Sequence, residues 1–162
     1  EGAPVVNIVG DAGNRVMLIA LDTNLETDSP FDFACGEVGE IQLSSLESLL
    51  NDPAGKDLRK ILFFHHHPFV RNDPFVELKD ARQLMRTIYH KVDVLLFGHR
   101  HVAQKWKNVN GIQYVLAADN TPGKAYAREI SVDDGKIEVK EVSLKPEKQR
   151  RKREKKAEDR QR

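Results

Sequence analysis

An apolar run, Val92 to Phe97, ends in Gly98-His99-Arg100-His101. Such a run reads as a strand buried inside a sheet, and closing it with two histidines delivers imidazoles to the sheet's rim. Gly98 lets the backbone turn without a Cβ clash, so the residues after it can lie close to a metal centre. A second delivery lies upstream, where Lys60-Ile61-Leu62-Phe63-Phe64 runs into His65-His66-His67-Pro68. Five of the six histidines therefore follow two apolar strands, and His90 alone stands apart. Neutral imidazole is the commonest protein ligand for zinc, iron and manganese-type ions, and several must converge from different elements.

The parity of an extended strand sorts the first histidine group. Side chains alternate between faces, so His66 points opposite to His65 and His67 if the extended geometry persists, and Pro68 favours that geometry at His67. One face looks at a metal and the other at the sheet's surroundings. In the second group, Arg100 points away from His99 and His101, because a cation opposes a nearby divalent ion.

Around these two points the chain alternates strands and helices. Pro4 to Val9 and Arg15 to Asp22 are apolar runs separated by Gly10-Asp11-Ala12-Gly13-Asn14, which predicts neighbouring strands joined by a turn. Asp22-Thr23-Asn24 then opens a polar segment. Asp22 has the residue type of a hard-ion ligand, but the role expected of it is to tie down loop backbone, as short polar side chains at strand ends do. Ile41, Leu43, Leu46, Leu49 and Leu50 recur close to helical spacing between Gly39 and Asn51, and Pro53 and Gly55 end that helix. A second helix is expected over Glu77 to Lys91, with Met85 as core filling and His90 near its C-terminus. After the site, four short strands with turn-forming Asn110-Gly111, Asn120-Thr121-Pro122-Gly123 and Asp134-Gly135 predict an antiparallel meander. Trp106 is expected in the core or packed at the site's edge.

The 162 residues, 40% of them hydrophobic, suffice for one domain with a core. Net charge is only +1, so no global field points to nucleic acid. The distribution is uneven: residues 145–162 hold ten Lys/Arg against four acids. This basic stretch cannot bury an apolar face and reads as a disordered tail, with RNA or an acidic surface as its conceivable contacts. One cysteine, Cys35, excludes an internal disulfide and suits a reducing, cytoplasmic setting. No apolar run approaches the roughly 20 residues that span a bilayer, so no membrane role is expected.

At its histidines the chain resembles the calcineurin-like metallophosphoesterases. The resemblance rests on an H-x-P pattern after one apolar strand, G-H-x-H after the next, the run Leu21-Asp22-Thr23-Asn24, and Gly36 to Gly39 leading into the helix at Gln42 to Glu47. It covers about Val16 to Leu144 and only the second half of that family's domain. It implies an α/β fold, a two-sheet sandwich flanked by helices (αββα), of which this chain is the C-terminal portion: residues 1–144 as the domain part and 145–162 as the tail.

The resemblance also implies the chemistry, namely hydrolysis of a phosphate-ester substrate at a site of two divalent ions, Mn, Fe or Zn. His66 and His99 are the implied ligands of one ion and His101 of the other. His67 borders the site as a substrate-facing group, His65 is a packed histidine, and Arg71 in the loop after Pro68 contacts phosphate. Three imidazoles do not hold two ions. The family's D-x-H, G-D-x-x-D and G-N-H elements are absent: Gly10-Asp11 is followed by Asn14, and Gly13-Asn14 by Arg15. The expectation is a missing N-terminal half of the same domain, without which this chain is inactive. The alternative is a non-catalytic binding or scaffold remnant that holds at most one metal and contacts acidic partners through its tail. An unrelated zinc hydrolase with three histidines fits the H-x-P and G-H-x-H spacing less well.

Overall fold

A computed structural model describes residues 2–11, 13–24, 34–70, 73, 75–119 and 126–144. They fall into two compact units, Glu1–Asn120 and Thr121–Arg162. The first holds β1 (Val5–Val9), β2 (Val16–Ala20), α1 (Glu40–Asn51), β3 (Arg59–Phe63), α2 (Ala81–Thr87), β4 (Val94–Phe97), β5 (Gln104–Val109) and β6 (Ile112–Ala117). The second is a hairpin of β7 (Tyr126–Asp133) and β8 (Lys136–Ser143). No helix among the described residues is long and apolar enough to cross a membrane.

The six strands of the first unit lie in the order β1-β2-β3-β4-β6-β5. Strands β2, β3, β4 and β6 are parallel, while β1 and β5 are antiparallel edges. Parallel neighbours need crossovers, which α1 and α2 supply. The consequence for function is geometric. The parallel strands all end at one rim, where ligands bind in open α/β sheets.

One face of this sheet packs on the helices. Met17, Ile19, Leu62, Leu95, Phe97 and Val115 meet Leu43, Leu46 and Leu50 of α1 and Leu84 of α2 in a single buried cluster. The intervening Ile61, Val94 and Leu116 are buried too, as parallel strands covered on both faces require. Polar side chains fix how the elements meet. Asp93 accepts from Lys60 N at 2.7 Å and from Arg59 Nη1 at 3.0 Å, pinning the start of β4 to that of β3. The buried amide of Gln42 accepts from Asp22 N and donates to Asp22 O, tying α1 to the end of β2.

The hairpin at the N-terminus and the first helix form where the sequence predicts them, and each predicted strand is present, some with shifted ends. Asp134-Gly135 turns with both φ positive, 46° and 69°, the backbone that a two-residue hairpin requires. Three expectations change. β3 ends at Phe63, and the chain bends at His65 and His66, so strand parity stops before the histidines. The second helix starts at Ala81 instead of Glu77, because Leu78 is diverted into a bridge with Gly36 and the Asp80 carboxylate accepts from Val38 N and Gly39 N. The meander is not continuous: β6 inserts beside β4 in parallel, and β7 and β8 pair only with one another. The expected turn at Asn120 to Gly123 and the basic tail lie outside the described residues.

Candidate metal centre

The rim at the ends of β2, β3 and β4 is tied together by backbone. Leu21 N donates to Phe63 O, Phe64 N to Leu96 O, and Gly98 N to His65 O, all at 3.0–3.1 Å. This brings the two histidine groups side by side. One ligand nitrogen from each of His65, His66 and His99 lies within 4.8 Å of the others. His65 Nε2 is 3.1 Å from His99 Nδ1.

His66 is the most firmly seated of the three. It is buried, and its Nδ1 is 2.8 Å from the hydroxyl of Thr23, which is buried as well. With the hydroxyl as acceptor, Nδ1 carries the proton and Nε2 keeps a lone pair, the arrangement by which a partner to one ring nitrogen readies the other for a metal. Gly36 makes room for the ring: a Cβ there would lie 2.7 Å from Thr23 O and closer still to the imidazole. Gly36 is itself fixed, since it donates to Glu77 O and accepts from Lys79 N.

His99 and His101 both have left-handed backbone, φ 72° and 52°. His99 Nε2 is buried with no hydrogen bond among the described residues. A partly buried ring with Nδ1 on His65 and a buried Nε2 left without a hydrogen bond is costly unless the cluster has a ligand, so the donor set fits a divalent metal. His101 is exposed and is not among the three that converge.

Burial favours the unprotonated form of His66 and His99. Burial lowers His66 from 6.5 to about 4, with the neighbouring His99 and His65 rings pushing the same way and Asp22 opposing. His99 is lowered by burial first and then by His65 and His101, with the backbone of Ala34 pulling the other way. Lone pairs are therefore available at neutral pH.

His67 turns away from this cluster into an aromatic wall. Its ring meets Phe97 at 4.7 Å and Trp106 at 6.3 Å between centroids, and its Nδ1 accepts from Phe69 N at 3.2 Å. Burial and then Arg100 lower its pKa. Trp106 thus packs at the site's edge. His65, expected to be packed, is exposed and joins the cluster; the bend after β3 puts it beside His66 instead of across from it. Arg71 lies outside the described residues. Sequence reasoning gave His65 a packing role and read Thr23 and Gly36 only as parts of motifs; for Thr23 the signal was its place at the end of a buried strand.

Comparison with solved structures bears on the fold. A dimetal phosphatase from Danio rerio superposes with a TM-score of 0.57 over 86% of this chain, at 16% identity. The chain has the fold of a dimetal phosphatase. It spans 60% of that structure's length. TT1561 of Thermus thermophilus aligns over 80% of this chain and 54% of its own, with 15% identity and a TM-score of 0.41. No family model matches the sequence, and no curated protein does.

Proposed function

We propose that this chain is the C-terminal part of a calcineurin-like metallophosphoesterase, which hydrolyses phosphate esters with two divalent ions, Mn, Fe or Zn. The observation that carries the reading is three imidazoles converging at the rim of a sheet with the fold of a dimetal phosphatase. When bound, paired divalent ions polarise phosphoryl oxygens and lower the pKa of coordinated water. Toward them, this chain contributes His66 and His99 for one ion and His101 for the other. Thr23 holds His66 in the tautomer that binds, and His67, packed on Phe97 and Trp106, borders the site on the substrate side. Arg71 is the proposed phosphate contact. The remaining ligands come from D-x-H, G-D-x-x-D and G-N-H elements of a longer protein.

A second reading, a non-catalytic remnant that holds one ion, has one observation in its favour: His101 stands apart from the three converging rings. One assay separates the two. A longer protein carrying the missing elements, loaded with manganese or zinc, is expected to hydrolyse bis(4-nitrophenyl) phosphate or 4-nitrophenyl phosphate, to stop with a chelator, and to lose activity in His99→Ala. The 162-residue chain alone is expected to hydrolyse neither ester. A longer protein that holds two metals per chain and hydrolyses neither ester would sink the phosphoesterase reading.

A further inference from the structure

The resemblance places His66 and His99 at one ion and gives His65 no part in it. We infer that His65 is the third ligand of that ion, so that this chain builds a three-imidazole site without any carboxylate. The inference rests on reading the rim as a metal centre, not on the phosphoester chemistry.

The argument is geometric. Ligand nitrogens about 2.0–2.1 Å from a tetrahedral ion lie about 3.3 Å from one another, and the centroids of three imidazoles so arranged lie about 5 Å apart. The observed centroid separations are 5.0 Å for His65 and His66, 5.0 Å for His65 and His99, and 4.7 Å for His66 and His99. His65 Nε2 and His99 Nδ1 are 3.1 Å apart, and one ligand atom from each of the three rings lies within 4.8 Å of the others. A hydrogen bond between His65 and His99 accounts for one of these separations. It does not account for His66 standing at nearly the same distance from both while its Nδ1 is committed to Thr23.

The three rings also divide the work that such a site needs. His66 is buried and anchored, His99 is partly buried, and His65 is exposed, so the cluster is closed on the protein side and open toward solvent. Three neutral nitrogens with a free fourth position suit zinc, cobalt or nickel and serve poorly for magnesium or calcium, which take oxygen ligands. Because no carboxylate is required, the site assembles from residues of this chain alone.

Cobalt(II) and zinc titrations of the chain test this. Wild type is expected to take up one cobalt with the strong visible absorption of four-coordinate Co²⁺, which zinc then bleaches. His65→Ala and His65→Gln are both expected to weaken zinc binding by about 100-fold or more, beyond most losses of a mere supporting hydrogen bond. Glutamine can replace the hydrogen bond to His99 but is a poor ligand for these ions. If His65→Gln binds zinc within about tenfold of wild type, His65 is a prop and the inference is overturned. It is equally overturned if neither substitution changes affinity, or if wild type takes up no cobalt. Far-UV circular dichroism guards against misfolding, which an exposed position makes easy to avoid. Failure here leaves hydrolysis by the longer protein untouched, and failure of hydrolysis leaves this titration standing.

Discussion

Two short segments deliver the histidines, and they are held by opposite means. The one after β3, His65 to Pro68, is set by its surroundings: Thr23 bonds His66, Gly36 lies against its ring, and the aromatic wall encloses His67. The one after β4, Gly98 to His101, is held mainly by backbone, with Gly98 N on His65 O and two non-glycine residues in left-handed conformation. Such a backbone costs an L-residue roughly 1–2 kcal/mol. One segment is thus a platform fixed by side-chain contacts, and the other carries backbone strain.

The largest expected effect breaks the platform. Gly36→Ala puts a methyl group 2.7 Å from the Thr23 carbonyl and against the His66 ring, of which the first is backbone and the second is buried and bonded to Thr23. Destabilisation of about 3 kcal/mol, the upper end for overpacking, is expected in urea unfolding. An unchanged midpoint would mean that the platform yields and that the contrast between the segments is unfounded.

Acid provides the next effect, and it too falls on the platform. The folded pKa of His66, about 4, lies below the ordinary 6.5, so between these values the unfolded chain binds more protons. Its contribution is fully present above pH 6.5 and is lost as pH falls toward about 4. Burial of this depth makes the loss on the order of 2–3 kcal/mol. His99 and His67, also lowered, add in the same direction. Urea midpoints taken across that window should fall for wild type and fall less for His66→Gln. Parallel curves for the two proteins would remove His66 from the account.

The order of strands and helices was readable because apolar runs, turn residues and helical spacing all act locally. The convergence of two histidine groups was readable because both follow buried strands, and parallel strands end at one rim. What escaped was decided by tertiary contacts. The bend after Phe63 overrode strand parity and exchanged the expected places of His65 and His67. The bridge between Gly36 and Leu78 shortened α2. Insertion of β6 beside β4 split the meander, a choice of partner that no local pattern encodes. Thr23 looked like any strand-end threonine until the fold set it against His66, forty-three positions away.

The smallest effect sharpens the comparison most, because it runs in the stabilising direction. His101 is exposed with φ 52°. Glycine adopts that backbone freely, which returns roughly 1–2 kcal/mol, while its freedom in the unfolded chain takes back about 0.4–1 kcal/mol. His101→Gly should therefore stabilise the metal-free chain by about 0.5 kcal/mol, seen as a higher urea midpoint. His99→Gly relieves similar strain but removes a ring packed against His65 and His66, so it should gain nothing and lose zinc affinity. If His101→Gly is destabilising, its imidazole makes contacts that outweigh the backbone, and the strained segment is as firmly built as the other. If it stabilises while the longer protein loses hydrolysis, then His101 is kept in a costly conformation for the second ion, and strain and function meet at one residue.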